Sequence, residues 1–254
     1  MLIVPSGASP HTYSLKPSDA RKISNADMIF WIGPGIEKFL EKPLRSLAGK
    51  ADIVTFLPEK PTSGEQLDTP LKHNHEHHGA SPHIWLSPIN AIGMVNTAAA
   101  RLAKADPGNA DLYGKNAVSL VKRLKALQDE SDILLSPVKS KPFLVFHDAY
   151  DHMAKAFGLN IVGMVTISPE RAPGARRIAD LRKLMETTKT SCLFGEPQVD
   201  SSRLNVIVEN IKNARIGVLD PLGAGIPAGK DMYFKLMRTN VRALVNCLSA
   251  YSTN

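Results

Sequence analysis

Apolar residues fall along this chain in two rhythms: short runs closed by glycine or proline, and longer stretches at helical spacing. Met28 to Ile32 reads as a strand, ended by Gly33-Pro34-Gly35. A helix is expected from about Ile36 to Leu47 and a short strand near Ile53 to Phe56. Leu57 to Pro82 then reads as a loop rich in Pro, Gly, Thr and His, and loops of that length inside a compact domain are usually functional or disordered. Ser87-Pro88 is a good helix opening, with Ser as N-cap and Pro at the first helical position, and that helix runs to about Ala105. Pro107 opens a second pattern through Leu135, in which Leu112, Ala117, Leu120, Val121, Leu124 and Leu127 recur at helical spacing. At about 1.5 Å per residue it would span roughly 40 Å, more than one lobe needs. It reads as a rigid backbone between two lobes.

The second half repeats a β-α rhythm. Strands are expected at Phe143–Phe146, Ile161–Val165, Cys192–Phe194 and Ile216–Leu219. Helices fall near Ala149–Phe157, Gly174–Thr188, Ser201–Lys212 and Lys230–Ala250. Four β-α units in series argue for a parallel sheet with helices on both faces.

Composition narrows the class. The chain has 254 residues, 43% of them hydrophobic and 22% charged, which fits a globular protein that buries a sizeable core. Its longest apolar stretch, around Met28 to Ile32, is far too short to span a bilayer. Met1-Leu2-Ile3-Val4 shows neither the basic region nor the extended apolar region of a secretory signal. The net charge of +7 comes from Lys and Arg spread along the chain. It accompanies no nucleic-acid motif, so no nucleic-acid partner is expected. Cys192 and Cys247 are in no metal-finger spacing. The residues alone leave two readings open: two buried thiols, or a disulfide tying the last helix to the sheet in an oxidising compartment.

The candidate chemistry lies in histidines. His11 (Ser9-Pro10-His11-Thr12-Tyr13), His83 (Pro82-His83-Ile84-Trp85) and His147 (Phe146-His147-Asp148-Ala149-Tyr150) each stand where the chain leaves or enters regular structure. That is where open α/β folds place binding groups. Three converging imidazoles make a nitrogen-rich site suited to zinc. His147 follows one strand and Asp220 another, so in a parallel sheet both project into one crevice. Asp220 also has a plain reading as turn chemistry before Pro221. His73, His75, His77 and His78 form a further cluster. His152, five residues past His147, reads as a surface residue, and Trp85 as packing beside His83. Asp148 and Glu196 are candidate partners for the second ring nitrogen of a ligand histidine.

Five segments around these positions resemble zinc-specific periplasmic binding proteins of ABC transporters, the ZnuA type of the cluster A-I family. They are Gly7 to Asp19, His83-Ile84-Trp85-Leu86-Ser87-Pro88, Phe146-His147-Asp148-Ala149-Tyr150, Glu196-Pro197-Gln198 and Leu219-Asp220-Pro221-Leu222-Gly223, in family order across nearly the whole chain. The resemblance implies two doubly wound parallel-sheet α/β lobes joined by one long rigid helix, with the metal in the cleft between them. The first lobe would cover 1–105 with a His-rich loop at 58–82, the linking helix 106–136 and the second lobe 137–254. His11 and His83 would come from the first lobe, His147 and Asp220 from the second. Manganese-selective members tend to carry a carboxylate where His147 stands, so the imidazole favours Zn²⁺. Some zinc-type members have an acidic residue before the first histidine. Pro10 stands there instead, which leaves Asp220, a water or a loop histidine as fourth ligand, and Asp220 is the choice. His73, His75, His77 and His78 match an auxiliary loop, and Cys192 and Cys247 the family's disulfide. In that family a signal peptide, a strand and a helix precede the segment matching Leu2-Ile3-Val4-Pro5, so the first lobe is expected to lack its first strand and helix, with strand edges exposed.

The function implied is a monomeric periplasmic carrier that captures zinc and delivers it to a membrane permease. Two alternatives stand beside it: a zinc-dependent adhesin or metal-storage protein, and a zinc hydrolase. The chain has no H-E-x-x-H and no serine nucleophile elbow, so no enzyme activity is expected.

Overall fold

The computed structural model describes residues 1–5, 7–57, 81–167, 172–198, 200 and 202–249. The first elements are α1 (Pro17–Ser24), β1 (Met28–Trp31), α2 (Glu41–Leu47) and β2 (Asp52–Thr55). After them come α3 (Pro88–Ala105), α4 (Ala110–Leu135), β3 (Phe143–Val145), α5 (Asp151–Phe157) and β4 (Ile161–Met164). The chain continues through α6 (Ala175–Thr187), β5 (Cys192–Gly195), α7 (Ser202–Val208), β6 (Arg215–Val218) and α8 (Met232–Ser249). All strand pairs are parallel: β1 with β2, and a four-stranded sheet in the order β4-β3-β5-β6. Among the described residues no helix is long and apolar enough to cross a membrane.

The four-stranded sheet is covered on both faces, which is why β3 and β5 are buried along their whole length. Alternate residues of β3 and β5 serve different cores. Phe143, Val145, Cys192 and Phe194 face a cluster with Leu124, Leu127 and Leu135 of α4 and Met237, Val241 and Leu244 of α8. Leu144, Phe146 and Leu193 face Leu181, Met185, Leu204 and Ile207 from α6 and α7. Leu86, just before α3, and Ala91, in its first turn, belong to the first of these cores. A separate cluster of Ile23, Trp31, Leu40, Leu44 and Ala48 closes the N-terminal part.

Helix α4 has 26 residues, about 39 Å at 1.5 Å per residue, as the sequence pattern predicts. It packs along α3 on one side and against α8 and α5 on the other. The bidentate pair of Arg238 with Glu130 (2.7–3.0 Å) joins α8 to it, and the Arg123 guanidinium sits 4.0 Å above the Phe234 ring.

Several boundaries are set by local chemistry. The helix expected from Ile36 becomes a 3₁₀ turn at Lys38–Leu40 followed by α2, because Pro43 has no N–H to continue a helix begun earlier but fits the first turn of one begun at Glu41. The strand β1 ends where Gly33 takes φ +144°, with the carbonyl oxygen of Leu57 only 2.4 Å from where a Cβ would stand. Helix α7 stops at Val208, and Asn210 then adopts φ +67°, a left-handed conformation that asparagine tolerates better than most residues. Helix α1 is a further element, opened by Pro17 at its first position and Asp19 two residues on, both helix-start signals.

Cys192 at the start of β5 and Cys247 near the end of α8 form a disulfide, with Cα atoms 6.1 Å apart and 55 residues apart in sequence. Of the two readings the residues left open, this is the one the fold adopts. Closing a loop of that length removes unfolded-chain entropy worth about 4 kcal/mol in the chain-entropy model. Replacing both cysteines by alanine is expected to lower the unfolding free energy by about 2–4 kcal/mol in a urea titration. No change in the midpoint would show that the bridge adds nothing to the packing of α8.

Candidate metal centre

Topology creates the site. The chain runs from β3 to β4 on one side and then crosses back to β5 on the other, so the carboxyl ends of β3 and β5 flank a switch point, the place where open α/β sheets bind ligands. Val145 pairs with Phe194. His147 and Glu196 each stand two residues beyond that pair, and they meet: His147 Nδ1 lies 2.5 Å from Glu196 Oε1, both side chains being 3% exposed. The carboxylate accepts the Nδ1 proton, which leaves the Nε2 lone pair facing the cleft.

His83 stands at the entrance to a 3₁₀ turn, Ile84–Leu86, whose buried Ile84 and Leu86 anchor it. Ser87 then caps α3, its Oγ accepting from the Asn90 N–H at 3.3 Å. The His83 ring is 2% exposed, with Ser81 Oγ 3.4 Å from Nδ1. The Ser81 hydroxyl in turn donates to the carbonyl of Asp148 at 3.2 Å. His11 comes from the loop before α1, where its N–H donates to Ser9 Oγ at 3.3 Å. That loop is tied to α1 by the buried Asp19 carboxylate, which accepts from the Tyr13 hydroxyl at 2.7 Å and the Lys16 N–H at 3.2 Å. The Tyr13 hydrogen bond is also the main reason the Asp19 carboxyl is held below its usual range.

The three rings converge on their Nε2 atoms. His11 to His83 and His147 to His83 are both 3.4 Å, and one ligand atom from each ring lies within 4.8 Å of the other two. A tetrahedral zinc with Zn–N bonds of about 2.0–2.1 Å has ligand–ligand edges of about 3.3–3.4 Å. Two edges of such a tetrahedron are therefore already in place. Burial first, then the neighbouring His147 and His11, holds the His83 imidazole well below its ordinary protonation range. A neutral ring is the form that binds metal.

Asp220 lies beyond β6, 7% exposed, and does not belong to that trio. Its Oδ1 accepts from the N–H groups of Leu222 and Gly223 at 2.9 and 2.8 Å, and its backbone exchanges two hydrogen bonds with the buried Asn240 side chain. His73, His75, His77 and His78 lie outside the described residues. Trp85 packs beside His83 as expected, its ring 5.2 Å away, and its Nε1–H donates to the Pro221 carbonyl at 2.8 Å.

His152 is not the surface residue its spacing suggests. It is half-buried, its Nε2 2.8 Å from the Ser81 carbonyl and its Nδ1 3.1 Å from Asn90 Nδ2. Ser81 and Asn90 are likewise not expected as site residues, and the buried Tyr150 is named only within its Phe146–Tyr150 segment. Burial, then the charges of Glu196 and Asp220, pushes the Tyr150 phenol well up. Ser81 and Asn90 meet His152 from 71 and 62 residues away in sequence, so no short-range pattern signals the network they form.

The family model of the periplasmic zinc-uptake complex component A matches residues 1–247. The chain belongs to this zinc-uptake component A family. The high-affinity zinc uptake system protein ZnuA of Brucella suis biovar 1 is 38% identical over 283 aligned residues, covering 98% of this chain and 84% of that protein. A crystal structure of ZnuA superposes with a TM-score of 0.79 at 27% identity, covering 97% of this chain and 89% of that one. The laminin-binding protein Lmb of Streptococcus agalactiae, described as bifunctional with adhesin and metal-transporting activity, gives 0.79 at 26% identity over 96% of this chain and 89% of that one. Members of the zinc-uptake component A family are substrate-binding components of ABC transporters, not enzymes, and they work with a permease and an ATPase. The two-lobe α/β architecture with one long helix is theirs as well.

The His83 ring sets a pH dependence in the metal-free protein. In the unfolded chain it takes a proton below about pH 6.5, whereas in the fold it resists one, so stability is full above that pH and falls below it. Between pH 7.5 and 5.5, metal-free protein is expected to lose roughly 1 kcal/mol more unfolding free energy than its His83→Asn variant, read by urea titration. Equal losses would mean that His83 titrates normally.

Proposed function

We infer that this chain captures Zn²⁺ in the periplasm and hands it to the membrane permease of an ABC importer. The observation that carries the reading is the pair of 3.4 Å Nε2–Nε2 edges joining His11, His83 and His147, with Glu196 behind one ring and Ser81 behind another. Three imidazole nitrogens favour zinc over the harder ions magnesium, calcium and manganese. Asp220 is the fourth ligand in this reading, supplying its second carboxylate oxygen. The bound charge would then be one carboxylate and three neutral rings against a dication, with Glu196 strengthening His147 from outside the coordination shell.

The organisation that goes with this function is a first lobe over 1–105, a linking helix over 106–136 and a second lobe over 137–254, with the ion between the lobes. The carrier acts as a monomer. His73, His75, His77 and His78 form a weaker auxiliary zinc-binding set in this reading. The similarity to Lmb supports a second role as an adhesin, which surface display and an attachment defect on deletion would reveal.

Competition of the purified protein against a zinc chelator, with the metal-to-protein ratio read by elemental analysis, tests the carrier. One tight equivalent plus weaker ones is expected. His83→Ala or His147→Ala should abolish the tight equivalent, and deletion of residues 73–78 should remove only weaker ones. A tight equivalent that survives both point changes would overturn the ligand assignment.

A further inference from the structure

Two of the three ligand histidines hang on one junction, of which the carrier reading uses only the Ser81–His83 contact. Ser81 is at its centre. Its hydroxyl lies 3.4 Å from His83 Nδ1 and donates to the Asp148 carbonyl, next to His147. It stands to His83 as Glu196 stands to His147, accepting the Nδ1 proton so that Nε2 is turned to the metal. Ser81 is 5% exposed, so its own orientation must be fixed by protein groups.

His152 supplies that fixing. A carbonyl oxygen only accepts, so the 2.8 Å contact to Ser81 O requires the proton on His152 Nε2. In the neutral ring Nδ1 is then an acceptor, and Asn90 Nδ2 donates to it at 3.1 Å. The same amide nitrogen donates its other hydrogen to the Ile84 carbonyl at 3.1 Å, so the Asn90 side chain cannot be turned over without losing a bond. His152 therefore clasps the chain on both sides of His83, through Ser81 before it and through Asn90 and Ile84 after it. It does so from α5, five residues beyond His147 on the same stretch of chain.

We propose that His152 is a positioning residue of the metal site, which acts through Ser81 to hold His83 at its 3.4 Å spacing from His147 before the ion arrives. The proposal rests on the zinc-carrier reading. Pre-set spacing means that little ordering remains to be done on binding, so the benefit shows in affinity and in the rate of release. His152 touches no metal, and its loss leaves all the proposed ligands in the chain.

The test compares wild type with His152→Phe, which fills the space but bonds to nothing, and with His152→Gln, whose amide offers one donor and one acceptor. Zinc affinity is read by chelator competition and release by stopped flow. The visible ligand-field spectrum of the Co²⁺-loaded protein reports tetrahedral geometry. We expect His152→Phe to bind zinc about tenfold more weakly, to release it faster and to lose Co²⁺ absorption intensity, while His152→Gln recovers most of each. Ser81→Ala covers the case in which the phenylalanine variant does not fold, and it should weaken zinc to a similar extent. Where both fold, the double variant should be no worse than either single change. Wild-type affinity and an unchanged Co²⁺ spectrum in the folded phenylalanine variant, or in Ser81→Ala where that variant does not fold, would overturn the proposal with the carrier reading intact. A wild-type protein without a tight zinc equivalent would instead overturn the carrier reading itself.

Discussion

The buried contact between His147 and Glu196 is the constraint on which the site depends. A carboxylate 3% exposed would carry a heavy desolvation cost alone, and the imidazole N–H, its Nδ1 2.5 Å away, offsets it. That proton is thereby committed to Nδ1. Ser81 does the same for His83 with a neutral acceptor. The consequence is electrostatic: the Nε2 lone pairs of His83 and His147 are brought to 3.4 Å from one another, with His11 Nε2 3.4 Å from that of His83. Such a cluster repels itself and attracts a cation, and burial, which strips away water, raises both effects. The fold supplies the energy that holds these lone pairs together, and a bound dication returns it.

The sheet explains why this arrangement is stable. Strands β3 and β5 are the two inner strands, buried on both faces, and their registered ends carry His147 and Glu196. The 3₁₀ turn with His83 is packed into the same large core through Leu86 and tied to the chain after β6 and to α8 by the Trp85–Pro221 and Tyr233–Trp85 hydrogen bonds at 2.8 Å each. His11 alone comes from the part of the chain with its own small core around Ile23, Trp31 and Leu44. Two ligands thus share one packed unit, and the third arrives from a neighbouring one.

Much of this was legible in the residues. The Pro-His pairs at His11 and His83 and the strand-end position of His147 mark loop residues with chemistry, and the β-α rhythm of the second half gives the sheet that gathers them. The order of strands, and hence the meeting of His147 with Glu196, needs a crossover that no local pattern encodes. His152 illustrates the limit best. Counted from His147 it falls on a different helix face, which reads as solvent, yet that face meets Ser81 and Asn90, 71 and 62 residues away in sequence. Boundaries shifted where one residue outweighed a pattern, as Pro43 did in moving the start of α2 to Glu41.

The most direct measurement of the central claim is the zinc affinity of Glu196→Gln, a change that keeps shape and an acceptor oxygen but removes the charge behind His147. The account predicts affinity about 10–100-fold weaker than wild type, with an unchanged circular dichroism spectrum. Wild-type affinity in the folded variant would contradict it, since the carboxylate would then have no part in shaping the site.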